Sequence, residues 1–240
     1  LLKVSAIDET FSPQKTTWKG MHCCYSDVPP TESTVLADET DEAIFGGSVI
    51  EHLLKGNRGH WSPLEHTYIV MEFAYVPHDV MQQLRTHRHL SFSVQSFRYC
   101  SKGFLKFDGS NDALERLVYF RQPGLYSNRL GLHYYYSLAD RVEDMDLAKR
   151  LIAKYQRSVS EYGMAPEHAR GLLPFNVRQN MIVSGNLRAW LHVADLRLKA
   201  DAQPEIQQLM NMAYFRIEEF VPEIAHWYDD NRKGKARLSP

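Results

Sequence analysis

The sequence predicts an α+β fold, a mixed and mainly antiparallel sheet with flanking helices in a single domain. The stretch 66–76 is rich in β-branched and aromatic residues, as is typical of a strand with both faces covered, and a second strand is predicted over 175–184. A long amphipathic pattern over 138–162 predicts a helix. Strands and helices do not alternate regularly, which favours α+β over a parallel βαβ arrangement. We expect one domain over residues 1–228, followed by a polar tail, 229–240.

Other segments before residue 100 also have recognisable patterns. Residues 35–56 have helical spacing, although the adjacent Gly46 and Gly47 weaken the middle of this segment. Pro77 ends the first strand and suits the first position of a short helix. Residues 90–99 alternate serine with apolar side chains, which predicts a strand or an extended loop that lines a cleft.

A helix predicted over residues 186–199 places cations in two directions. Its polar face contains Arg188, His192, Asp195 and Lys199. At about 100° per residue, Arg197 lies roughly opposite Arg188 and beside Trp190. One helix can therefore present cationic groups to two different surroundings. A last helix begins at Pro204.

Composition limits the possible classes of protein. The 240 residues include 28 Lys and Arg against 29 Asp and Glu, and 44% are hydrophobic, as in ordinary globular proteins. No apolar run approaches the roughly 20 residues that span a bilayer, and the first residues lack the pattern of a signal peptide. The near-zero net charge argues against general nucleic-acid binding. Three cysteines, two of them adjacent, cannot form a disulfide framework, so we expect a cytoplasmic protein.

The strongest chemical signal is a cationic segment, Arg85-Thr86-His87-Arg88-His89, which serines follow. Guanidinium groups match phosphate oxygens, serines add neutral donors, and nearby aromatic side chains offer faces for planar rings. This combination is typical of a nucleotide or flavin site. A solvated basic helix end, whose histidines pair with nearby carboxylates, has the same composition.

Other chemistries have weaker support in the sequence. His87 and His89 form an H-x-H pair, but no carboxylate, cysteine or HExxH spacing accompanies it, so we expect no metal site. In a second polar cluster, residues 60–66, Glu65 and His66 either satisfy each other or bind a polar cofactor. Neither GxGxxG nor GxSxG occurs. The cysteines lack a catalytic setting and are expected to be small buried hydrophobes.

Several motifs follow one another between about residues 20 and 210. Thr86-His87-Arg88 is followed after seven residues by Ser96, in the pattern R-H-R-x7-S with threonine in the first place. The other segments are Cys23-Cys24-Tyr25-Ser26, Gly59-His60-x-Ser62-Pro63-x-Glu65-His66, Ala169-Arg170-x-x-Leu173-Pro174, and Asn186-x-Arg188 with Leu196-Arg197. In their order and spacing they resemble the motifs of the flavin-dependent thymidylate synthases, the thymidylate synthase complementing protein family.

The resemblance implies an activity, its cofactors and its contacts. FAD would supply a hydride and methylenetetrahydrofolate the one-carbon unit that convert dUMP to dTMP, with NADPH reducing the flavin in a homotetramer whose active sites use several chains. The implied FAD contacts are Ser26, His60, Ser62, Glu65, Thr86, His87, Arg88, His89, Asn186, Arg188 and His192. The implied dUMP contacts are Gln83, Leu84, Arg85, Val94, Gln95, Ser96, Phe97, Arg98, Arg170 and Arg197.

Two of these residues are our candidates for the chemistry itself. The pyrimidine must accept a hydride at C6, so a cation beside its carbonyl and N3 would stabilise the developing negative charge, and we assign this role to Arg197. Ser96 is assigned to positioning dUMP. Arg98 and Arg170 would hold the phosphate group of dUMP.

The sequence departs from the family pattern at Thr86 and Val94, where arginine and glutamate are usual. Arg85 could place its guanidinium in the space of the missing arginine.

Two other functions stay open at this stage. One is a single-stranded RNA-binding module that uses Arg85, Arg88 and Arg98 with the aromatic side chains between them. The other is a catalytically inactive relative that binds flavin.

Overall fold

The computed structural model describes residues 1–57, 60–128 and 130–235. The chain divides into two compact units, which are described separately. Unit 1 contains Leu1–Leu2, Ala74–Leu84 and Ser93–Met181, and unit 2 contains Lys3–Phe73, Arg85–Phe92 and the chain from Ile182 onward. The single domain over residues 1–228 stays a prediction.

Helices and strands are mixed along the described residues. The helices are α1 (Pro13–Tyr25), α2 (Glu42–Val49), α3 (His78–Leu84), α4 (Lys102–Leu105), α5 (Asn111–Leu117), α6 (Leu138–Ser160), α7 (Pro166–Ala169), α8 (Leu187–Arg197), α9 (Pro204–Phe220) and α10 (Pro222–Asn231). The strands are β1 (Lys3–Glu9), β2 (Tyr68–Pro77), β3 (Ser91–Val94), β4 (Gly124–Ser127), β5 (His133–Tyr136) and β6 (Arg178–Asn186). Within this part of the chain, no helix combines the length and the apolar character needed to cross a membrane.

Four strands form one sheet in the order β1-β2-β6-β3, and β4 pairs with β5 in a separate antiparallel hairpin. Hydrogen bonds beyond the ends of β2 and β6 show that these two strands run in opposite directions. At one end the His78 amide donates to the Val177 carbonyl over 2.9 Å, and at the other the Leu187 amide donates to the Thr67 carbonyl over 2.8 Å. The predicted α+β class, with a mainly antiparallel sheet and flanking helices, is confirmed.

Unit 1 is built around an apolar core to which α6 contributes one face. The core residues are Phe97, Phe104, Leu114, Val118, Phe120, Met145, Ala148, Ile152, Tyr155, Ala169 and Val177. Ser137 caps α6, since its hydroxyl accepts the Asp140 amide over 3.1 Å while the Asp140 carboxylate accepts the Ser137 amide over 2.8 Å. Gly163, just beyond the helix, has a φ of 65°. The amphipathic pattern therefore predicted α6 correctly, to within two residues of its end.

In unit 2, α2 begins later than the helix predicted over residues 35–56. Asp41 sets the start, because its carboxylate accepts the Ala43 amide over 3.0 Å. After Val49 the helix continues as a π-helical turn over Ile50–Leu54. A Cβ atom on Gly46 would collide with the Gln14 side chain, so the close approach of α1 explains a glycine inside this helix.

Three further differences separate the predicted elements from the observed ones. β3 covers only part of the strand or extended loop predicted over 90–99, because a turn follows it, in which the Tyr99 amide donates to the Ser96 carbonyl over 3.0 Å. α10 reaches Asn231, so the first residues of the expected tail are helical, while 236–240 lie outside the described residues. The elements β1, α1, α4, α5, β4, β5 and α10 were not predicted.

Candidate active site

Asn186 determines where α8 begins. Its side-chain oxygen accepts a hydrogen bond from the Ala189 amide over 2.8 Å, which satisfies one of the amides that the first turn leaves without a helical partner. This cap therefore sets the directions in which Arg188, His192 and Arg197 project from the helix. Because the side-chain oxygen is used within the helix, Asn186 would contact a ligand through its other polar atoms.

Arg188 connects the start of α8 to a short 3₁₀ helix, Ser62–His66. Nη1 of Arg188 lies 2.6 Å from Oε1 of Glu65. The side chains of Arg188 and Glu65 are 34% and 45% exposed, so both can still contact a ligand. Two of the sequence motifs, far apart in the chain, thus meet in unit 2.

Glu65→Gln is expected to change the free energy of unfolding by less than about 1 kcal/mol, because solvent screens the attraction within exposed ion pairs. Urea denaturation of the two proteins, followed by circular dichroism, measures this difference. A loss of more than about 2 kcal/mol would show instead that the ion pair holds the 3₁₀ helix in place.

His60 precedes the same 3₁₀ helix and lies against the end of α1. Its Nδ1 is 2.7 Å from the Tyr25 hydroxyl, and the two rings meet edge to face with centroids 5.5 Å apart. The neighbouring Ser26 hydroxyl donates to the Val28 carbonyl over 2.9 Å, whereas Ser62 is exposed. The segments that contain Ser26 and His60 are therefore brought together, and Gly59 lies outside the described residues.

The cationic loop turns sharply after α3. The Leu90 amide donates to the His87 carbonyl over 3.2 Å, and both of these side chains are buried. The exposed members of the loop are Arg85, Thr86, Arg88 and His89. The expected cationic surface is present, with one histidine beneath it.

Arg197 has different partners from Arg188, as the helical spacing predicts. Its Nε donates to Nε2 of His87 over 2.9 Å, and its Nη2 lies 3.5 Å from Oγ1 of Thr86. His192, five residues earlier on α8, packs edge to face against His87 with ring centroids 5.9 Å apart. The loop and α8 thus form one cluster within unit 2.

Burial and neighbouring cations disfavour the protonated forms of His87 and His192. Burial lowers the pKa of His87 from 6.5 to about 4, and Arg197, His192 and His89 act in the same direction. Burial and then His89 lower the pKa of His192, against an opposing effect of Asp195. Near pH 7 the His87 ring is therefore uncharged and can accept the hydrogen bond from Arg197.

Asp195 belongs to the polar face of α8 that the helical spacing predicts. It is buried, its Oδ1 accepts the Tyr228 hydroxyl over 2.8 Å, and its Oδ2 lies 2.9 Å from Nη2 of Arg232. The helical spacing is correct, but α10 covers this part of the face. The charge of Asp195 is therefore used to hold α10 against α8.

In unit 1 the segment after β3 alternates between core and surface. Phe97 is buried, with its ring centroid 5.4 Å from that of Phe104, so its side chain is part of the core of unit 1. Ser96 is half-buried and Arg98 is exposed, with its guanidinium over the Tyr99 ring at 5.2 Å from the centroid. Ser96 and Arg98 can therefore offer their side chains to a ligand.

The other expected dUMP contacts lie on separate elements. Gln83 is half-buried and Leu84 is buried at the end of α3, and Val94 is half-buried at the end of β3. Arg170 is exposed and follows α7. Of the expected contacts, Arg85 and Arg197 belong to unit 2.

Gln179 supports the site segment of unit 1 and was not identified from the sequence. It is 5% exposed, its Oε1 accepts the Nδ1 hydrogen of His78 over 2.6 Å, and its Nε2 donates to the Gln95 carbonyl over 3.0 Å. Oε1 of Gln95 in turn accepts the Asn180 amide over 3.1 Å. A polar residue at an inward position of β6, two before the buried Met181, is the signal that could have found it.

Metal binding has no support among the residues with described positions, where no group of three or more His, Cys, Asp or Glu side chains could hold an ion. Within the H-x-H pair, the Nε2 atom of His87 is already the acceptor for Arg197. This nitrogen is therefore not available as a metal ligand in the observed arrangement.

The cysteines differ from the prediction. Cys23, Cys24 and Cys100 are exposed free thiols, so the expectation that they are small buried hydrophobes is wrong. Cys23 and Cys24 lie in the last turn of α1, where the helix leaves the core of unit 2. Their exposure could not be inferred from neighbouring residues, since Met21, two residues before Cys23, is buried.

Comparison with known proteins relates these residues to a family. Residues 6–223 match the family model described as thymidylate synthase complementing protein. The flavin-dependent thymidylate synthase of Halobacterium salinarum is 33% identical over 218 residues, which cover 87% of this chain and 85% of that protein. The enzyme of the same name from Haloarcula marismortui is 30% identical over 257 residues, covering 100% of both chains.

Solved structures share the fold. Thymidylate Synthase X from Helicobacter pylori, with FAD and dUMP, aligns with a TM-score of 0.71 at 18% identity, over 96% of this chain and 98% of that chain. A UMP/dUMP methylase from Streptomyces cacaoi, bound with 5-Br dUMP, aligns with a TM-score of 0.73 at 20% identity, over 100% and 98% of the two chains. From the match over most of its length, the chain belongs to the thymidylate synthase complementing protein family, that of the flavin-dependent thymidylate synthases.

Proposed function

We propose that this chain is a flavin-dependent thymidylate synthase that converts dUMP to dTMP. Methylenetetrahydrofolate is the one-carbon donor, and NADPH reduces the flavin. The main support from the structure is the contact between Arg197 and His87, which joins the R-H-R-like motif to the end of α8. The names of the curated relatives, and the FAD and dUMP in the Helicobacter pylori structure, support the same assignment.

The residues of unit 2 suit an anionic, planar cofactor such as FAD. All the expected FAD contacts lie in this unit: Ser26, His60, Ser62, Glu65, Thr86, His87, Arg88, His89, Asn186, Arg188 and His192. Arg88 is exposed and Arg188 partly so, and guanidinium groups bind pyrophosphate oxygens through paired hydrogen bonds. Neutral His87 and His192 add polar edges without further positive charge. Bound FAD supplies the hydride for the reaction.

The residues of unit 1 suit a nucleotide phosphate. Arg98 and Arg170 are exposed cations that would bind it, as the motif positions imply. Ser96 is assigned to positioning dUMP, and the Gln95 backbone beside it is held through Gln179. A segment fixed in this way loses little conformational entropy when a ligand binds.

Arg197 is our candidate for activating the pyrimidine. A hydride added at C6 leaves negative charge on the ring, and a fixed cation beside N3 and the neighbouring carbonyl stabilises that charge. Arginine suits this role because its guanidinium stays protonated even though burial lowers the pKa of Arg197. The partial burial also strengthens its electrostatic effect, since the surroundings screen charge less than water does.

The purified protein tests this proposal directly. We expect the absorbance bands of oxidised flavin, release of FAD on denaturation, and dTMP formation from dUMP, methylenetetrahydrofolate and NADPH. Colourless protein that makes no dTMP even with added FAD would contradict the proposal. Flavin without turnover would identify an inactive relative, and tight binding of oligonucleotides that weakens with salt, with dUMP a poor competitor, would favour the RNA-binding alternative.

The assembly and location belong to the same proposal. We propose a homotetramer whose active sites use residues of several chains, which sedimentation equilibrium would test by mass. A cytoplasmic location, expected from the cysteine content, stays a prediction. NADPH oxidation measured with and without dUMP would test whether NADPH is the reductant.

A further inference from the structure

His87 and Arg197 make a contact between two side chains that the resemblance assigns to different ligands. Nε of Arg197 donates to Nε2 of His87 over 2.9 Å, and His87 is only 6% exposed. Arg197 is the last residue of α8, and its long side chain has many rotamers. A hydrogen bond to a buried partner removes much of this freedom before any ligand binds.

The contact requires a particular form of the imidazole ring. Nε2 can accept a hydrogen bond only when the ring is neutral and its hydrogen is on Nδ1. The titratable and charged groups that face the ring are Arg197 and His192 from α8 and His89 from its own loop. Together with burial they disfavour the protonated ring, which holds the pKa of His87 at about 4.

We propose that His87 is a positioning residue for Arg197, a neutral acceptor that sets the plane of the guanidinium through its Nε hydrogen bond. Because the guanidinium is planar, fixing Nε also fixes the plane in which both Nη groups lie. The Thr86 hydroxyl, 3.5 Å from Nη2, is a second group of the loop that lies beside the guanidinium. The proposal rests on the proposed function for the task that Arg197 performs.

A neutral acceptor differs physically from the more common carboxylate partner. A carboxylate would orient Arg197 equally well, but its negative charge would cancel much of the field that the guanidinium exerts on a ligand. A neutral imidazole orients the side chain and leaves the net positive charge intact. This difference predicts that the charge of the acceptor, and not only its presence, determines turnover.

Three variants separate these effects. His87→Leu removes the acceptor and is expected to lower kcat about 10²-fold, as misplacement of a catalytic group does. His87→Gln keeps a neutral acceptor and is expected to stay within about 10-fold of the parent protein. His87→Glu replaces the neutral acceptor with a negatively charged one. Its kcat should be as low as that of His87→Leu, or lower. The control is His226→Leu on α10, an exposed histidine whose loss should leave kcat unchanged.

The double variant His87→Leu, Arg197→Ala distinguishes positioning from a separate role. If His87 acts through Arg197, the double variant has the kcat of Arg197→Ala alone. If kcat falls by the product of the two single effects, His87 acts independently and the proposal is wrong. Flavin content is measured in every variant, and circular dichroism verifies that each is folded.

Nitrogen-15 NMR of histidine-labelled protein tests the contact without any turnover. The Nε2 signal of His87 should show an unprotonated nitrogen, and the ring should stay neutral on acidification until about pH 4. In Arg197→Ala the pKa of His87 should rise, because a nearby positive charge is removed. A His87 that titrates near 6.5 and ignores this substitution would overturn the proposal. If the NMR result holds while no dTMP is formed, only the proposed function fails.

Discussion

Arg197→Ala is expected to lower kcat for dTMP formation by about 10²–10³-fold while the protein keeps its flavin, because one fixed donor to developing charge contributes about that much. The expected FAD contacts do not include Arg197, so its loss should change turnover more than cofactor binding. Measurements at saturating dUMP separate kcat from KM. Flavin is quantified by absorbance after denaturation of equal amounts of protein.

Control variants test whether the loss of turnover is specific to Arg197. Arg216→Ala on α9 removes a similarly half-buried arginine, whose Nη1 pairs with Glu219 at 2.6 Å, and should leave turnover unchanged. His60→Ala or Arg88→Ala should have the opposite pattern to Arg197→Ala, with weaker flavin retention. Near-native kcat in Arg197→Ala at saturating dUMP would show that another group stabilises the charge on the pyrimidine.

Local patterns in the sequence predicted the parts of the fold and site that depend on local geometry. The spacing of apolar residues predicted α6, and the same arithmetic on α8 predicted that Arg188 and Arg197 face different surroundings. Their partners, Glu65 and His87, confirm this separation. Such predictions succeed because 3.6-residue periodicity depends only on the helix itself.

Other features depend on contacts between distant segments, which no local pattern records. His87 and Arg197 are 110 positions apart, and nothing near either residue predicts their hydrogen bond. Asp195 has the spacing of the polar face of α8, yet α10 covers it and the Tyr228 hydroxyl donates a hydrogen bond to it. The strands β4 and β5 have four residues each and are largely exposed, so no alternation of buried apolar and exposed polar residues marks them in the sequence.

The largest expected effect on stability is that of Trp190→Ala, which should lower the free energy of unfolding by about 3–5 kcal/mol. Trp190 is 0% exposed, its ring stacks on Phe73 with centroids 6.1 Å apart, and its Nε1 lies 3.4 Å from the Ile69 carbonyl. Truncation would leave a cavity between α8 and β2 inside unit 2. Urea denaturation measures the loss, provided that both proteins unfold in one transition.

The same substitution tests whether packing against β2 holds the site residues of α8 in place. Trp190→Phe keeps an aromatic ring and should cost less than Trp190→Ala, since less volume is lost. Trp227→Ala on α10 is the matched control. The Trp227 ring is only partly buried, so its truncation should lower the free energy of unfolding less than Trp190→Ala does. If folded Trp190→Ala keeps its flavin but has a lower kcat, the cavity disturbs Arg197 at the far end of the helix. If Trp190→Ala and Trp227→Ala lower the free energy of unfolding equally, the contact of Trp190 with β2 is not what anchors α8. The sheet then does not determine where Arg197 lies.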